Sequence, residues 1–125
     1  MIRYVTLVVD DYDNAITYYT SVLNYVVRED VALTATKRWV VVGSADGTGC
    51  GLLLAKAATS DQMAHIGNQT GGRVAFFYAT DNFEATYARM RALGVTFLES
   101  PRHEAYGRVV KWRDRYGNQW DLIGE

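Results

Sequence analysis

The stretch that decides the fold is Tyr4-Val-Thr-Leu-Val-Val9, because a similar stretch, Arg73-Val-Ala-Phe-Phe-Tyr78, follows 69 residues later. Each is typical of a β-strand and precedes a segment whose apolar residues recur at helical spacing. That segment ends at Asn24 in the first copy and at Gly94 in the second, and both residue types tolerate the left-handed conformation that stops a helix. The helices lie 70 residues apart, so we place one inserted residue between strand and helix in the second copy. The repeat predicts two similar modules with a ligand site where they face each other.

Each copy continues with three further predicted strands, so the order of elements is βαβββ, twice. We predict an α+β fold and a single domain over residues 1–125, with modules at 1–56 and 72–125 and a connector at 57–71. Each half alone is marginal in size, and we therefore expect the halves to fold as a unit.

The composition excludes several classes of partner. The formal net charge is -1, with acidic and basic residues mixed along the chain, which does not favour nucleic acid. The apolar runs are far shorter than the roughly 20 residues of a membrane helix. Cys50 is the only cysteine, and no basic segment followed by an apolar one begins the chain. We expect a cytoplasmic protein with no secretory signal, no intrachain disulfide and no membrane partner.

Five short motifs near the two ends of the chain carry a family resemblance: Val5-Thr-Leu-Val-Val-Asp-Asp11, Ala15-Ile-Thr-Tyr-Tyr19, Tyr106-Gly-Arg108, Asp114-Arg-Tyr-Gly-Asn118 and Asp121-Leu-Ile123. With the element order, they resemble the vicinal oxygen chelate superfamily, which includes glyoxalase I, extradiol dioxygenases, and bleomycin- and fosfomycin-resistance proteins. The resemblance implies two tandem βαβββ modules that form a cup-shaped mixed sheet with helices outside. It also implies a homodimer.

The resemblance places the family's metal ligands at Tyr4, Leu53, Arg73 and Asp121. Metal-dependent relatives carry mostly His and Glu at these inward-facing positions. Leu53 has no donor atom, and Arg73 carries a permanent positive charge, so neither can ligate a cation. Only Asp121 is a ligand type that a divalent ion prefers. We therefore expect neither a catalytic metal nor another cofactor.

Strand alternation sorts the side chains that face the cup from those that face the helices. We expect Tyr4 and Thr6 to face the cup, and Trp120 and Leu122 to face the core. The cup is then mostly apolar and aromatic with few polar groups, which is typical of a small-molecule pocket. The predicted ligand-binding residues are Tyr4, Thr6, Trp39, Leu53, Arg73, Phe77, Tyr106 and Asp121.

Two features of this predicted site have more than one interpretation. A pair between Arg73 and Asp121 would either hold the strands in register or leave a donor for an anionic or carbonyl group of a ligand. Tyr106, beside the flexible Gly107, would either cover the cup as a mobile loop or pack permanently on its rim or at a dimer contact.

These patterns favour a small-molecule-binding protein that sequesters a metabolite or an antibiotic without transforming it. Bleomycin itself is not indicated, because its capture favours a markedly acidic protein. Three alternatives remain: a metal-dependent lyase or dioxygenase with a different ligand set, a metal-free isomerase or lyase using Asp121 or His103 as base, and a dimeric interaction module with a filled cup. We expect His65 and Cys50 to be ordinary surface or loop residues.

Overall fold

The computed structural model describes all 125 residues, which divide into two compact units, Met1–Ile66 and Gly67–Glu125. Each unit contains one mixed β-sheet and one main helix of 11 or 10 residues, so the α+β prediction is confirmed. The boundary between the units falls inside the predicted connector.

The first unit is built on a four-stranded sheet with the order β1-β4-β3-β2, in which β1 is parallel to β4 and the other pairs are antiparallel. The main helix begins after Asp11, whose carboxylate accepts a hydrogen bond from the Asn14 amide at 2.9 Å, and it packs against β3 and β4. The elements are β1 (Tyr4–Val9), α1 (Tyr12–Val22), β2 (Val26–Ala32), β3 (Arg38–Gly43), β4 (Gly51–Lys56) and α2 (Ser60–Ala64).

Strand alternation gives the first sheet two different faces. Leu7 and Leu54 are fully buried on the face toward α1. Thr6 and its register partner Leu53 lie on the opposite face, which we call the α1-distal face. This alternation agrees with the prediction from the sequence of β1.

The second unit repeats the arrangement with the strand order β5-β9-β8-β6, and a short extra strand pairs with β8. Its core is aromatic: the rings of Trp112 and Trp120 stack with centroids 4.9 Å apart, and Phe83 and Met90 of the main helix are fully buried. The elements are β5 (Val74–Thr80), α3 (Phe83–Ala92), β6 (Thr96–Phe97), β7 (Arg102–Glu104), β8 (Gly107–Arg113) and β9 (Gln119–Gly124).

The strand β5 contains a β-bulge, and it begins after Arg73. Val74 lies opposite Gln119 whereas Phe76 lies opposite Trp120, so β5 contains one extra residue between these pairs. The insertion in the second copy is therefore accommodated within the strand and not after it. Arg73 directly precedes β5 and is exposed, so the prediction that this strand includes Arg73 is wrong.

The segment around Tyr106, for which a mobile loop was one prediction, is a tight β-hairpin. Arg102 pairs with Val109 and Glu104 with Gly107 across β7 and β8. Gly107 has a φ of 126°, a conformation that disfavours other residues, and it closes the turn. Tyr106 therefore lies at the turn of a hairpin, where it is 62% exposed, and not on an extended loop.

Both main helices end as the repeat predicts. Asn24 follows α1 with a φ of 56°, and Gly94 follows α3 with a φ of 82°. Each therefore adopts the left-handed conformation at the matching place of its unit, and this prediction is confirmed. None of the helices has the length and apolar character needed to cross a membrane.

Candidate functional site

A cavity of about 800 Å³ lies at the end of the first sheet, where β4 leads to α2 and β2 turns back into β3. This volume is typical of small-molecule pockets, which measure about 300–1,000 Å³. Its walls are mostly apolar, with several polar and basic side chains among them. The lining residues are Tyr12, Leu33, Thr34, Thr36, Lys37, Arg38, Trp39, Leu53, Leu54, Ala55, Lys56, Ala57, Ala58 and Gln62.

The indole of Trp39 is the largest aromatic wall of the cavity, and its orientation is fixed by contacts with neighbouring side chains. The Tyr4 ring meets it edge to face, with centroids 5.4 Å apart. The Glu29 carboxylate oxygen Oε2 accepts hydrogen bonds from Tyr4 Oη at 3.1 Å and from Trp39 Nε1 at 3.3 Å. The indole is thus held by one hydrogen bond and one aromatic contact, and the same carboxylate also holds the Tyr4 ring.

The turn between β2 and β3 forms one side of the cavity, and backbone hydrogen bonds fix its shape. The Lys37 carbonyl accepts from the amides of Leu33 at 2.8 Å and Thr34 at 3.1 Å. The Thr34 hydroxyl oxygen in turn accepts from the Lys37 amide at 3.0 Å. Leu33 is 52% exposed, so an apolar side chain stands at the cavity beside the lysine.

Arg38 also lines the cavity, but carboxylates already engage its guanidinium. It donates to Asp30 at 2.7 Å and to Asp13 at 2.9 Å, and it lies 5.2 Å from the centre of the Tyr12 ring. The hydrogen bonds from Arg38 lower the pKa of Asp30. This network ties β3 to β2 and to the start of α1.

The second unit presents a different polar group, the nearly buried carboxylate of Asp121. It is 7% exposed, and its oxygen Oδ1 has no hydrogen-bond partner. Burial raises the pKa of Asp121, although the nearby charges of Arg102 and Lys111 act in the opposite direction. Phe77 lies opposite Asp121 in the β5–β9 register and is 66% exposed. The arrangement offers an acceptor, or when protonated a donor, next to an aromatic ring.

The predicted pair between Arg73 and Asp121 is not formed. Phe77 lies opposite Asp121 in the β5–β9 register, and Arg73 precedes the strand. The carbonyl of Arg73 accepts a hydrogen bond from the Thr70 hydroxyl at 2.6 Å, which fixes the backbone ahead of β5. The predicted register role of this pair therefore has no structural basis, whereas the ligand-binding roles of Arg73 and Asp121 stay predictions.

The positions that hold a metal in related enzymes do not fit a divalent ion here. Leu53 has no donor atom, and the Tyr4 hydroxyl donates to Glu29. No group of three or more His, Cys, Asp or Glu side chains is arranged to hold a metal ion. His103 is exposed in β7 opposite Arg108, and His65 Nδ1 donates to the Asp61 carbonyl at 2.8 Å.

The structure assembles part of the predicted site. Tyr4, Thr6, Trp39 and Leu53 share the α1-distal face of the first sheet, and two of them, Trp39 and Leu53, line the cavity. Phe77 and Asp121 are neighbours in the second unit, whereas Tyr106 lies on the β7–β8 turn. Sequence reasoning missed the contributions of Glu29, Leu33, Lys37, Lys56 and Gln62. The alternation of Glu29 and Val31 in β2, continued by Leu33 just after the strand, could have indicated Glu29 and Leu33.

Comparison with known proteins agrees with this architecture. Residues 1–122 match the family model of the Glyoxalase/Bleomycin resistance protein/Dioxygenase superfamily. An uncharacterized protein from Shewanella frigidimarina (strain NCIMB 400) is 44% identical over 123 residues, which cover 98% of this chain and 91% of that protein.

Solved structures of the same fold are similar over nearly the whole chain. The structure of UcmS2 has a TM-score of 0.83 and 29% identity, with 98% of this chain and 96% of that chain covered. TnmS3, an antibiotic binding protein from Streptomyces sp. CB03234, has a TM-score of 0.78 and 21% identity, with 99% and 94% covered. A superfamily member from Sphaerobacter thermophilus DSM 20745 also has a TM-score of 0.78, at 22% identity, with 100% and 97% covered. The resemblance seen in the sequence is confirmed, and this chain belongs to the glyoxalase/bleomycin resistance protein/dioxygenase superfamily.

Proposed function

We propose that this protein binds an aromatic or amphipathic small molecule, such as a metabolite or an antibiotic, and holds it without transforming it. The observation that carries the proposal is the cavity of about 800 Å³ in the first unit, with Trp39 and Leu53 among its walls. Apolar walls with a few polar groups are the usual composition of a binding pocket. The orientation of Trp39 is fixed before a ligand arrives, which reduces the entropy lost on binding.

The lack of fit to a metal supports binding over metal-dependent chemistry. Relatives that act as lyases or dioxygenases use a divalent ion, but Leu53, at one of the corresponding positions here, is aliphatic and has no donor atom. The printed name of TnmS3 describes an antibiotic binding protein, and its fold is that of this chain. That likeness makes an antibiotic or a compound of similar size a reasonable class of ligand to test.

The proposal can be tested with N-phenyl-1-naphthylamine, an uncharged aromatic probe whose fluorescence rises in an apolar site. We expect saturable binding to the wild-type protein. Ala55→Phe adds a ring inside the cavity and should weaken binding at least about tenfold, a loss of about 1.4 kcal/mol. Ala92→Phe, on the exposed end of α3, makes the same chemical change elsewhere and serves as the matched control.

A second variant tests the same site in case Ala55→Phe disturbs the fold. Leu33→Ser removes an apolar side chain that is already 52% exposed, and circular dichroism should show an unchanged fold. We expect weaker probe binding in this variant as well. Absence of saturable binding to the wild-type protein, or equal binding by all variants, would contradict the proposed site.

A second candidate function, proton transfer by Asp121, is favoured by its buried, unpartnered oxygen and its raised pKa. A carboxyl group of this kind can act as a base toward a bound carbon acid or as an acid toward a carbonyl. Native mass spectrometry of the purified protein, followed by incubation of any co-purified compound, distinguishes the two candidates. An unchanged mass and isotope pattern in deuterated water supports binding alone, whereas exchange or conversion that Asp121→Asn abolishes supports proton transfer.

We further propose that the protein acts as a homodimer, as its family implies. The edge strand β2 of the first sheet presents Val26, Val27 and Val31, which are 40%, 42% and 53% exposed. Apolar side chains on an unpaired strand edge are a common feature of subunit contacts. Light scattering coupled to size-exclusion chromatography should give twice the 14.0 kDa mass of one chain.

A further inference from the structure

The cavity of the first unit has a one-sided charge. Its charged lining residues are Lys37, Arg38 and Lys56, and no carboxylate belongs to the lining. The protein as a whole has a formal net charge of -1, so this local excess of positive charge is not a property of the whole surface. A concave site with one sign of charge concentrates ligands of the opposite sign.

Arg38 does not supply the free charge at this site. Its guanidinium forms ion pairs with Asp30 and Asp13, at 2.7 and 2.9 Å, which offset its charge. Removing it from these partners to bind a ligand would leave two carboxylates without a cation. The role of Arg38 at the cavity is therefore to hold the β2–β3 turn beside the start of α1.

Lys37 and Lys56 differ from Arg38 because neither forms an ion pair. All the ion pairs of the two units join other residues. Lys37 stands on the β2–β3 turn, where three backbone hydrogen bonds fix its main chain. Lys56 is the last residue of β4, opposite Val9 of β1. Two ammonium groups on flexible stems thus extend from fixed main-chain positions at the cavity.

We infer that the ligand is an aromatic compound that carries an acidic group, such as a carboxylate, sulfonate or ionised phenol. The inference rests on the proposed function, since it assigns a ligand class to the same cavity. The ring system packs on Trp39 and Leu53, and the anionic group forms charge-assisted hydrogen bonds with Lys37 and Lys56. Cationic ligands are disfavoured because no lining carboxylate receives them.

A matched pair of probes tests this assignment. 8-Anilinonaphthalene-1-sulfonate is N-phenyl-1-naphthylamine with an added sulfonate, so the ratio of their affinities isolates the effect of the negative charge. We expect the wild-type protein to prefer the sulfonate. In Lys37→Gln/Lys56→Gln the ratio should fall roughly tenfold, which is the loss of about two exposed charge contacts. Added salt should lower the ratio for the wild-type protein and change it little for the double variant.

The third lysine of the chain provides the control. Lys111 belongs to β8 of the second unit and does not line the cavity, so Lys111→Gln should leave the ratio within about twofold of the wild-type value. If both probes bind but the double variant keeps the wild-type ratio, the ligand class is wrong while the binding function stands. If neither probe binds to any form, the proposed function itself fails.

Discussion

The two units connect their last two strands in different ways, although an aspartate organises each connection. Asp46 in the first unit accepts from the Ser44 hydroxyl and from the amide and hydroxyl of Thr48, on an exposed loop. These hydrogen bonds lower the pKa of Asp46 to about 2. Asp114 in the second unit is 4% exposed and accepts five hydrogen bonds, from three backbone amides and from the side chains of Asn118 and Trp120.

The sheet faces that point away from the main helices show the same contrast, because the first unit has an exposed carboxylate there and the second unit a nearly buried one. Glu29 of the first unit is an exposed carboxylate that receives two hydrogen bonds from aromatic side chains. Asp121 of the second unit is nearly buried, and one of its oxygens receives none. Duplication therefore preserves the order of elements and the alternation of faces, whereas burial and pairing of each carboxylate depend on the particular residues around it.

The largest expected effect comes from the two strand connections. Asp114→Ala should lower the free energy of unfolding by about 3 kcal/mol or more, because it leaves buried donors, including Trp120 Nε1, without an acceptor. Asp46→Ala is the matched control and should cost much less, since water replaces its contacts on an exposed loop. Urea denaturation measures both, and equal losses would show that burial does not distinguish these aspartates.

The helix ends provide the next comparison. Gly94→Ala should cost about 1–2 kcal/mol, because a φ of 82° is unfavourable for a side-chain-bearing residue. Asn24→Gly should change stability by only a few tenths of a kcal/mol, since asparagine already tolerates its φ of 56°. Thermal denaturation of the two variants measures the difference, and a harmless Gly94→Ala would contradict the left-handed conformation.

A smaller effect of opposite sign is expected at Asp121. Asp121→Asn removes a charge from a nearly buried site with an unpartnered oxygen, and it should stabilise the protein by about 1 kcal/mol at neutral pH. Glu29→Gln, the comparison in the first unit, weakens the contacts to Tyr4 and Trp39 and should destabilise slightly. Denaturation midpoints measured side by side give the change in stability of both variants. Destabilisation by Asp121→Asn would indicate a stabilising partner for the charge.

The pH dependence of the same variant gives the smallest signal. Because the folded-state pKa of Asp121 lies above its ordinary value of 3.8, the folded protein binds more protons than the unfolded chain between these two values. This group therefore makes wild-type stability fall as the pH rises through that window. The advantage of Asp121→Asn should be smallest below pH 3.8 and level off above the folded-state pKa. A difference that does not vary with pH would contradict the raised pKa.

Much of the fold follows from local patterns in the sequence. Alternation predicted the buried and distal sides of β1, and the matching ends at Asn24 and Gly94 located both helix stops. The bulge in β5 escaped prediction, because an inserted residue in a strand leaves the composition unchanged and only the cross-strand register reveals it.

The candidate site was harder to predict than the fold. Leu53 was identified because the resemblance and strand alternation place it, but Lys37 and Gln62 lie on a turn and a short helix that have no such periodicity. Their approach to the cavity depends on how the β2–β3 turn and the start of α2 pack against the end of β4. Long-range packing of this kind is not encoded in a local pattern.

The most direct test of the binding site follows the three indole N–H signals of the protein in a nitrogen-15 NMR spectrum during titration with N-phenyl-1-naphthylamine. Tryptophan-to-phenylalanine variants assign the signals. Trp39 lines the cavity, whereas Trp112 and Trp120 are buried in the core of the second unit. We expect a saturable shift of the Trp39 signal with the other two nearly unchanged; a stationary Trp39 signal at saturating probe would contradict the proposed site.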